Sequence, residues 1–290
     1  MIRKILIANR GEIAVRIVRA CQEAGIESAA VYADADRHAL HVRKATEAYN
    51  IGPDPVTGYL NAHRIVNLAA ATGCDALHPG YGFLSENPEL ARICERRAIK
   101  FIGPGADVIR SMGNKIQARR SMQAAGIPVV PGSDANLVSV AEAVALAANI
   151  GYPVMLKATS GGGGRGIRRC DSEVELRRNY DRVLSEASKA FGSAEIFLEK
   201  CVTNPRHIEV QVLADAQGNV VHLFERDCSI QRRHQKLIEI APSPQLSESQ
   251  RAQIGEYAVR AARAVGYRNA GTVEFLMDRD EQFYFMEMNT

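Results

Sequence analysis

Lys4-Ile5-Leu6-Ile7-Ala8-Asn9-Arg10-Gly11-Glu12-Ile13-Ala14-Val15-Arg16-Ile17-Val18-Arg19-Ala20-Cys21-Gln22 reads as a strand, a tight turn and a helix. Lys4 to Ala8 is a short apolar run of strand length. From Glu12 to Gln22, Ile13, Ile17, Val18 and Cys21 recur at helical spacing. Ser28 to Tyr32 and Ala45 to Ile51 follow as strands, Ala62 to Ala71 as a helix, and Ala76-Leu77 as a further short strand. Such alternation predicts a parallel sheet covered by helices on both faces, so the class is α/β. The opening is Rossmann-like, yet its turn reads Asn9-Arg10-Gly11-Glu12 where a dinucleotide site needs G-x-G-x-x-G. A nicotinamide reading therefore loses its main support.

The stretch Gly126 to Asp134 is dense in breakers and reads as a linker into a second unit. Beyond it the pattern predicts a helix near Val140 to Ala148, a strand Val154 to Ala158, a helix near Glu173 to Ala187 and a strand Glu195 to Glu199. His207 to Leu213 alternates strictly, with His207, Glu209 and Gln211 on one face and Ile208, Val210 and Val212 on the other. Ser247 and Gln250 form a capping box for a helix whose apolar stripe is Ile254, Ala258, Ala261, Ala262 and Val265, stopped at Gly266.

Bulk composition excludes several classes. With 290 residues and 46% hydrophobic content, the chain can bury a real core. The net charge of +3 gives no reason to propose nucleic acid as a partner. No stretch approaches the roughly 20 apolar residues of a membrane helix, and no signal-peptide core precedes the first strand. The six cysteines lack any CxxC pair, which fits reduced thiols, and a cytoplasmic protein is expected. His38 and His41 have loose metal spacing without a third ligand and read as part of a surface helix.

Chemistry concentrates in two places. Ser160-Gly161-Gly162-Gly163-Gly164-Arg165-Gly166 follows the strand ending near Lys157. Free amides there could cradle phosphate oxygens, or the run could be a flexible hairpin loop; the neighbouring lysine favours phosphate. Lys115 in Met112-Gly113-Asn114-Lys115 reads on its own as a solvated lysine at a helix start. Near the end, Thr272 to Met277 and Gln282 to Asn289 form a hairpin around Asp278-Arg279-Asp280-Glu281. It sets Glu287 and Asn289 on one face with Glu274 within cross-strand reach. Two carboxylates and an amide oxygen are hard donors that suit Mg²⁺ or Mn²⁺ shared with nucleotide phosphates. The surrounding strands are so apolar that solvent-facing acids are the weaker reading.

At this point the residues resemble a known family, the biotin carboxylase subunit or domain of biotin-dependent carboxylases, in the ATP-grasp superfamily. The carriers are Ile7 to Ala14, His78 to Asn87, Lys157 to Gly166, Glu225-Arg226-Asp227-Cys228-Ser229-Ile230-Gln231-Arg232-Arg233-His234-Gln235-Lys236, and Glu287-Met288-Asn289-Thr290. Wording around Leu198-Glu199-Lys200 and Leu237 to Pro244 is closest to the pyruvate carboxylase type, with the acetyl-CoA carboxylase type as competitor.

The resemblance implies an N-terminal pre-ATP-grasp domain (1–113), a linker with a small α+β lid (114–203) and the first part of the carboxyl-terminal ATP-grasp subdomain (204–290). It implies that Lys115 and Lys157 contact ATP phosphates under a lid carrying Gly163 and Gly164. Glu199, Lys200, Cys201 and Val202 would line the adenine pocket, and His207, Gln231 and His234 would surround ribose and phosphates. Lys236 would hold bicarbonate, while Glu274, Glu287 and Asn289 would carry Mg²⁺ or Mn²⁺, with Glu274 and Glu287 also facing the nucleotide. Implied partners are a biotin carboxyl carrier protein or domain, a carboxyltransferase subunit and, since the family commonly dimerises, a second copy; neither nucleic acid nor a membrane is implied. In the family an arginine and then a general-base glutamate follow Asn-Thr directly. This sequence stops at Thr290: as a whole molecule it would bind ATP weakly and not carboxylate biotin, and the alternative, which is the expectation here, is that it is a fragment of a longer protein. Competing readings are another ATP-grasp ligase, which has no reason to keep Arg232 to Lys236, and a nucleotide-binding or assembly module without turnover.

Overall fold

A computed structural model describes residues 1–290 except 160–165, 193, 233 and 234. The chain divides into two compact units, Met1–Arg110 with Thr290 and Ser111–Asn289. The first contains β1 (Lys4–Ile7), α1 (Gly11–Glu23), β2 (Glu27–Tyr32), α2 (Leu40–Lys44), β3 (Glu47–Asn50), α3 (Pro55–Tyr59), α4 (Ala62–Ala71), β4 (Ala76–His78), α5 (Pro88–Arg96) and β5 (Lys100–Phe101). Its strands are all parallel in the order β3-β2-β1-β4-β5. β1 is central and its Leu6 and Ile7 are fully buried. On α1, Ala14, Ile17, Val18 and Cys21 are buried at i, i+3, i+4 and i+7; Ile17, Val18 and Cys21 are as the sequence predicts, while Ile13 is only half-buried and Ala14 takes its place. Gly11 takes φ +67° at the strand-to-helix turn, a conformation that disfavours any residue with a Cβ.

One side chain departs from expectation. His38 is exposed and lies before the helix, whereas His41 on α2 is fully buried, its Nε2 3.3 Å from the Val31 carbonyl. Five-residue α2 is too short to show a periodicity that would separate an inward from an outward histidine. Burial holds the His41 pKa below its ordinary 6.5, against the Val31 hydrogen bond. His78, accepting from the Gly80 N–H at Nδ1, is likewise pushed down by burial. Both histidines bind fewer protons folded than unfolded, so stability is lost as pH falls below about 6.5. Urea midpoints measured from pH 8 to pH 5 are expected to drop over that window, and less steeply in a His41→Phe variant.

The chain enters the second unit within α6 (Ala106–Gly113) and continues through α7 (Lys115–Ala124), α8 (Val140–Ile150), β6 (Val154–Ala158), β7 (Ile167–Cys170), α9 (Glu173–Phe191) and β8 (Ile196–Lys200). Strands β7-β6-β8 form a small antiparallel sheet whose Val154, Leu156, Ile196 and Leu198 pack against Ala143, Ala147, Leu176 and Val183 of the two helices. There follow β9 (Arg206–Ala214), β10 (Val220–Arg232), β11 (Gln235–Ile240), α10 (Glu248–Ala264), β12 (Asn269–Met277) and β13 (Phe283–Asn289). They make a second antiparallel sheet, ordered β11-β10-β9-β12-β13. The capping box at Ser247 and Gln250 is present, and α10 buries Ile254, Ala258, Ala261 and Ala262. A parallel sheet, a small α+β layer and a larger antiparallel sheet are the architecture that the resemblance implies.

The breaker-rich stretch 126–134 is not a linker between units. It runs inside the second unit and is hydrogen-bonded to both sheets: Phe285 N–H donates to the Pro128 carbonyl (2.8 Å), Lys200 N–H to Pro131 (2.7 Å) and Ser133 N–H to Leu198 (2.8 Å). Proline lacks a donor but keeps its acceptor, so a proline-rich segment can still dock on a strand. Gly132 lies so close to the Leu198 carbonyl that a Cβ would collide with it, and this fixes the approach of the segment to β8.

Candidate active site

One face of the five-stranded sheet carries the polar side of β9. Ile208, Val210 and Val212 are fully buried on the other face, so the alternation turns His207, Glu209 and Gln211 toward this one. β12 and β13 pair so that Glu274 lies directly opposite Glu287, and Thr272 opposite Asn289, with an irregularity between Glu274 and Phe275. Glu274 is also opposite Glu209 on β9. Three carboxylates thus share one row across three strands, which is costly unless cations compensate them.

The compensation comes from neighbouring strands. Lys236 on β11 reaches over β10 to bond Glu209 and to place Nζ 2.8 Å from Glu274 Oε1. Arg226 on β10 pairs through Nε with Glu209, and its two terminal nitrogens donate to Gln211 Oε1 at 3.2 Å each. His207 Nε2 is 2.5 Å from Glu274 Oε2, and Asn289 Nδ2 is 2.6 Å from Glu274 Oε1. Gln231 Nε2 donates to the Cys228 carbonyl (2.9 Å), which orients its amide, and its other hydrogen points to His207 Nδ1 (2.7 Å). For a neutral ring, this leaves the His207 proton on Nε2, donated to Glu274. Lys115, the first residue of α7 behind the Asn114 cap, places Nζ 3.2 Å from Glu287 Oε2.

These contacts set the charge states. Burial alone would raise the Glu274 pKa, but the hydrogen bonds and charges of His207 and Lys236 outweigh it and hold the carboxyl at about 2. Burial disfavours the Lys236 ammonium, yet Glu209 and Glu274 keep its pKa above the ordinary lysine value.

A second cluster lies on the small sheet. Lys157 on β6 is ion-paired with Glu199 on β8, whose other oxygen accepts from Arg119 Nη1 at 3.0 Å. Arg119 projects from α7 and is 4% exposed. Lys200 donates to the carbonyls of Gly151 and Tyr152 (3.0 Å each), while Cys201 and Val202 continue half-buried into the turn before β9. Gly163, Gly164 and His234 lie outside the described residues.

The structure therefore brings together Lys236, His207, Gln231, Glu274, Glu287, Asn289 and Lys115, with Lys157 and Glu199 forming their own pair. Glu209, Arg226 and Arg119 belong to the same networks and were not among the predicted site residues. For Arg119 a signal existed: it sits with Ile116 and Met122 on the buried side of α7, where an arginine demands an acidic partner. Glu274, Glu287 and the Asn289 amide fit a hard divalent cation by donor type, and the Lys236 ammonium on Glu274 already stands where positive charge is wanted.

Residues 1–109 match the family model described as the biotin carboxylase N-terminal domain, and residues 114–290 match the carbamoyl-phosphate synthase L chain ATP-binding domain. The chain belongs to the biotin carboxylase family. Across its full length it is 56% identical to the 2-oxoglutarate carboxylase small subunit of Hydrogenobacter thermophilus, covering 61% of that protein. It is equally similar to biotin carboxylase 1 of Bacillus subtilis, covering 65% of it. Among solved structures, the Campylobacter jejuni biotin carboxylase superposes with a TM-score of 0.98 at 49% identity, over 100% of this chain and 65% of that one. The Hydrogenobacter biotin carboxylase domain dimer, solved with MgADP and bicarbonate, superposes at 0.97 with 56% identity, over all of this chain and 64% of that one. The chain thus spans just under two thirds of the biotin carboxylases it matches. Among the described residues no helix is long and apolar enough to cross a membrane.

Proposed function

We propose that this chain carries the ATP-binding and bicarbonate-activating part of a biotin carboxylase, working in the cytoplasm with a biotin carboxyl carrier and a carboxyltransferase. The observation that carries the proposal is the row of Glu274, Glu287 and Asn289 beside Lys236 and Lys115 on one sheet face. Lys115 and Lys157 hold nucleotide phosphates, Glu199 to Val202 flank the base, and His207 and Gln231 orient the ribose side. Lys236 holds bicarbonate, one of whose oxygens attacks the γ-phosphorus as the bond to ADP breaks, giving carboxyphosphate. The carboxyl group then passes to a biotin ring nitrogen and inorganic phosphate leaves. Glu274, Glu287 and Asn289 would hold Mg²⁺ or Mn²⁺, which neutralises charge building on the phosphate oxygens.

The three carboxylates of this row are already engaged, Glu209 by Lys236 and Arg226, Glu274 by Lys236 and His207, and Glu287 by Lys115, and the neighbouring, half-exposed Glu239 lies 3.8 Å from Arg226. We infer that the base for bicarbonate comes from outside this set and that the 290-residue chain alone does not turn over. The test is ADP formation requiring both bicarbonate and free biotin, compared between this chain and a longer form of the protein. Turnover in the longer form only is expected. Turnover in the longer form that ignores biotin would favour another ATP-grasp ligase.

A further inference from the structure

The lysines assigned to anionic substrates are all seated on carboxylates here. Lys115 Nζ lies on Glu287, Lys236 on both Glu209 and Glu274, and Lys157 on Glu199. Two of those acids, Glu274 and Glu287, are the carboxylates read above as metal ligands. An ammonium on a carboxylate oxygen covers a lone pair that a metal would use and adds like charge beside it. In this row the negative charges of Glu209, Glu274 and Glu287 are matched by Lys115, Lys236 and Arg226, the last also approached at 3.8 Å by the half-exposed Glu239 outside the row. A free divalent cation would therefore meet a neutralised site. Arg226 is fastened to Glu209 and Gln211 and touches neither metal carboxylate, whereas each lysine has a flexible four-carbon stem.

We propose that Lys236 and Lys115 are exchangeable internal counter-ions. A divalent cation settling on Glu274 and Glu287 displaces both ammoniums, which then become the donors for bicarbonate and phosphate oxygens. The proposal rests on the metal-site reading above. Cation and anion binding are consequently coupled, because each favours the arrangement in which the lysines have left the carboxylates, and by linkage each strengthens the other equally.

The experiment is Mn²⁺ binding to the nucleotide-free protein, followed by the electron paramagnetic resonance of free Mn²⁺, in wild type, Lys236→Met, Lys115→Met, Glu274→Gln and Glu287→Gln, with circular dichroism confirming each fold. Lys236→Met is expected to tighten Mn²⁺ binding roughly tenfold or more, the scale set by one unit charge a few ångströms away. Glu274→Gln is expected to weaken it. Equal or weaker binding in folded Lys236→Met, with binding still lost in Glu274→Gln, would overturn the counter-ion proposal and leave the metal site standing. Mn²⁺ binding indifferent to both Glu274→Gln and Glu287→Gln would overturn the metal site and the proposal together. Should Lys236→Met not fold, Lys115→Met decides the question at Glu287 by the same comparison.

Discussion

Glu274→Gln is expected to lower bicarbonate-dependent ATP cleavage by about 10²–10³-fold in the working protein without unfolding it. Glutamine keeps the shape of the side chain and an acceptor for Lys236 and Asn289, so the contacts at 2.8 and 2.6 Å can persist in part. It removes a charge that the site is built to preserve. Glu274 is 3% exposed, and burial opposes its ionisation, yet His207 and Lys236 hold the carboxyl at about 2. An acid kept ionised at that depth serves a cation. Phosphate release with saturating bicarbonate and biotin measures the effect, and activity within a factor of a few of wild type would remove Glu274 from the site. The same depression carries a stability signature. Its contribution is fully present above the ordinary 4.5 and is lost as pH falls toward 2, so acid unfolding of wild type over that range should be steeper than that of the variant.

Glu199→Leu is expected to destabilise the second unit by about 3–5 kcal/mol, because it leaves Arg119 charged and enclosed without its acid. The Arg119 side chain is 5% exposed, and its Nε already has no hydrogen-bond partner among the described atoms, so no other described group is placed to take over. Lys157, at 18% side-chain exposure, can turn toward water and suffers less. Adding Arg119→Met to the Glu199→Leu background should recover most of the loss, since a buried ion pair replaced whole by apolar groups is often nearly neutral. Urea unfolding of the two single variants and the double variant completes the cycle. A double variant as unstable as Glu199→Leu alone would show that the stranded guanidinium is not the cause.

Much of this was legible from local pattern. The α1 stripe apart from Ile13, the alternation of β9, the Ser247 capping box and the β12–β13 hairpin were each written within a few residues and formed as read. The misreadings have a common origin. Pro128 and Pro131 signalled a linker because breakers report the lack of donors, while their carbonyls were free to dock on strands far away in sequence. His41 looked exposed because α2 is too short for its inward face to show.

Taken by itself, the sequence determined the strongly periodic elements, though not α3, α5, β5, β7, β10 or β11, and the placement of Glu274, Glu287 and Asn289 on one face, because strand and helix periodicities act between neighbours. Only the tertiary structure decided which cation meets which carboxylate. Lys115 and Glu287 are 172 residues apart, Arg119 and Glu199 80, and Lys236 and Glu274 38. No local rule pairs residues at such separations. They meet because the antiparallel sheets and helix α7 return distant segments to one surface, where burying Glu209, Glu274 and Glu199 makes nearby cations obligatory.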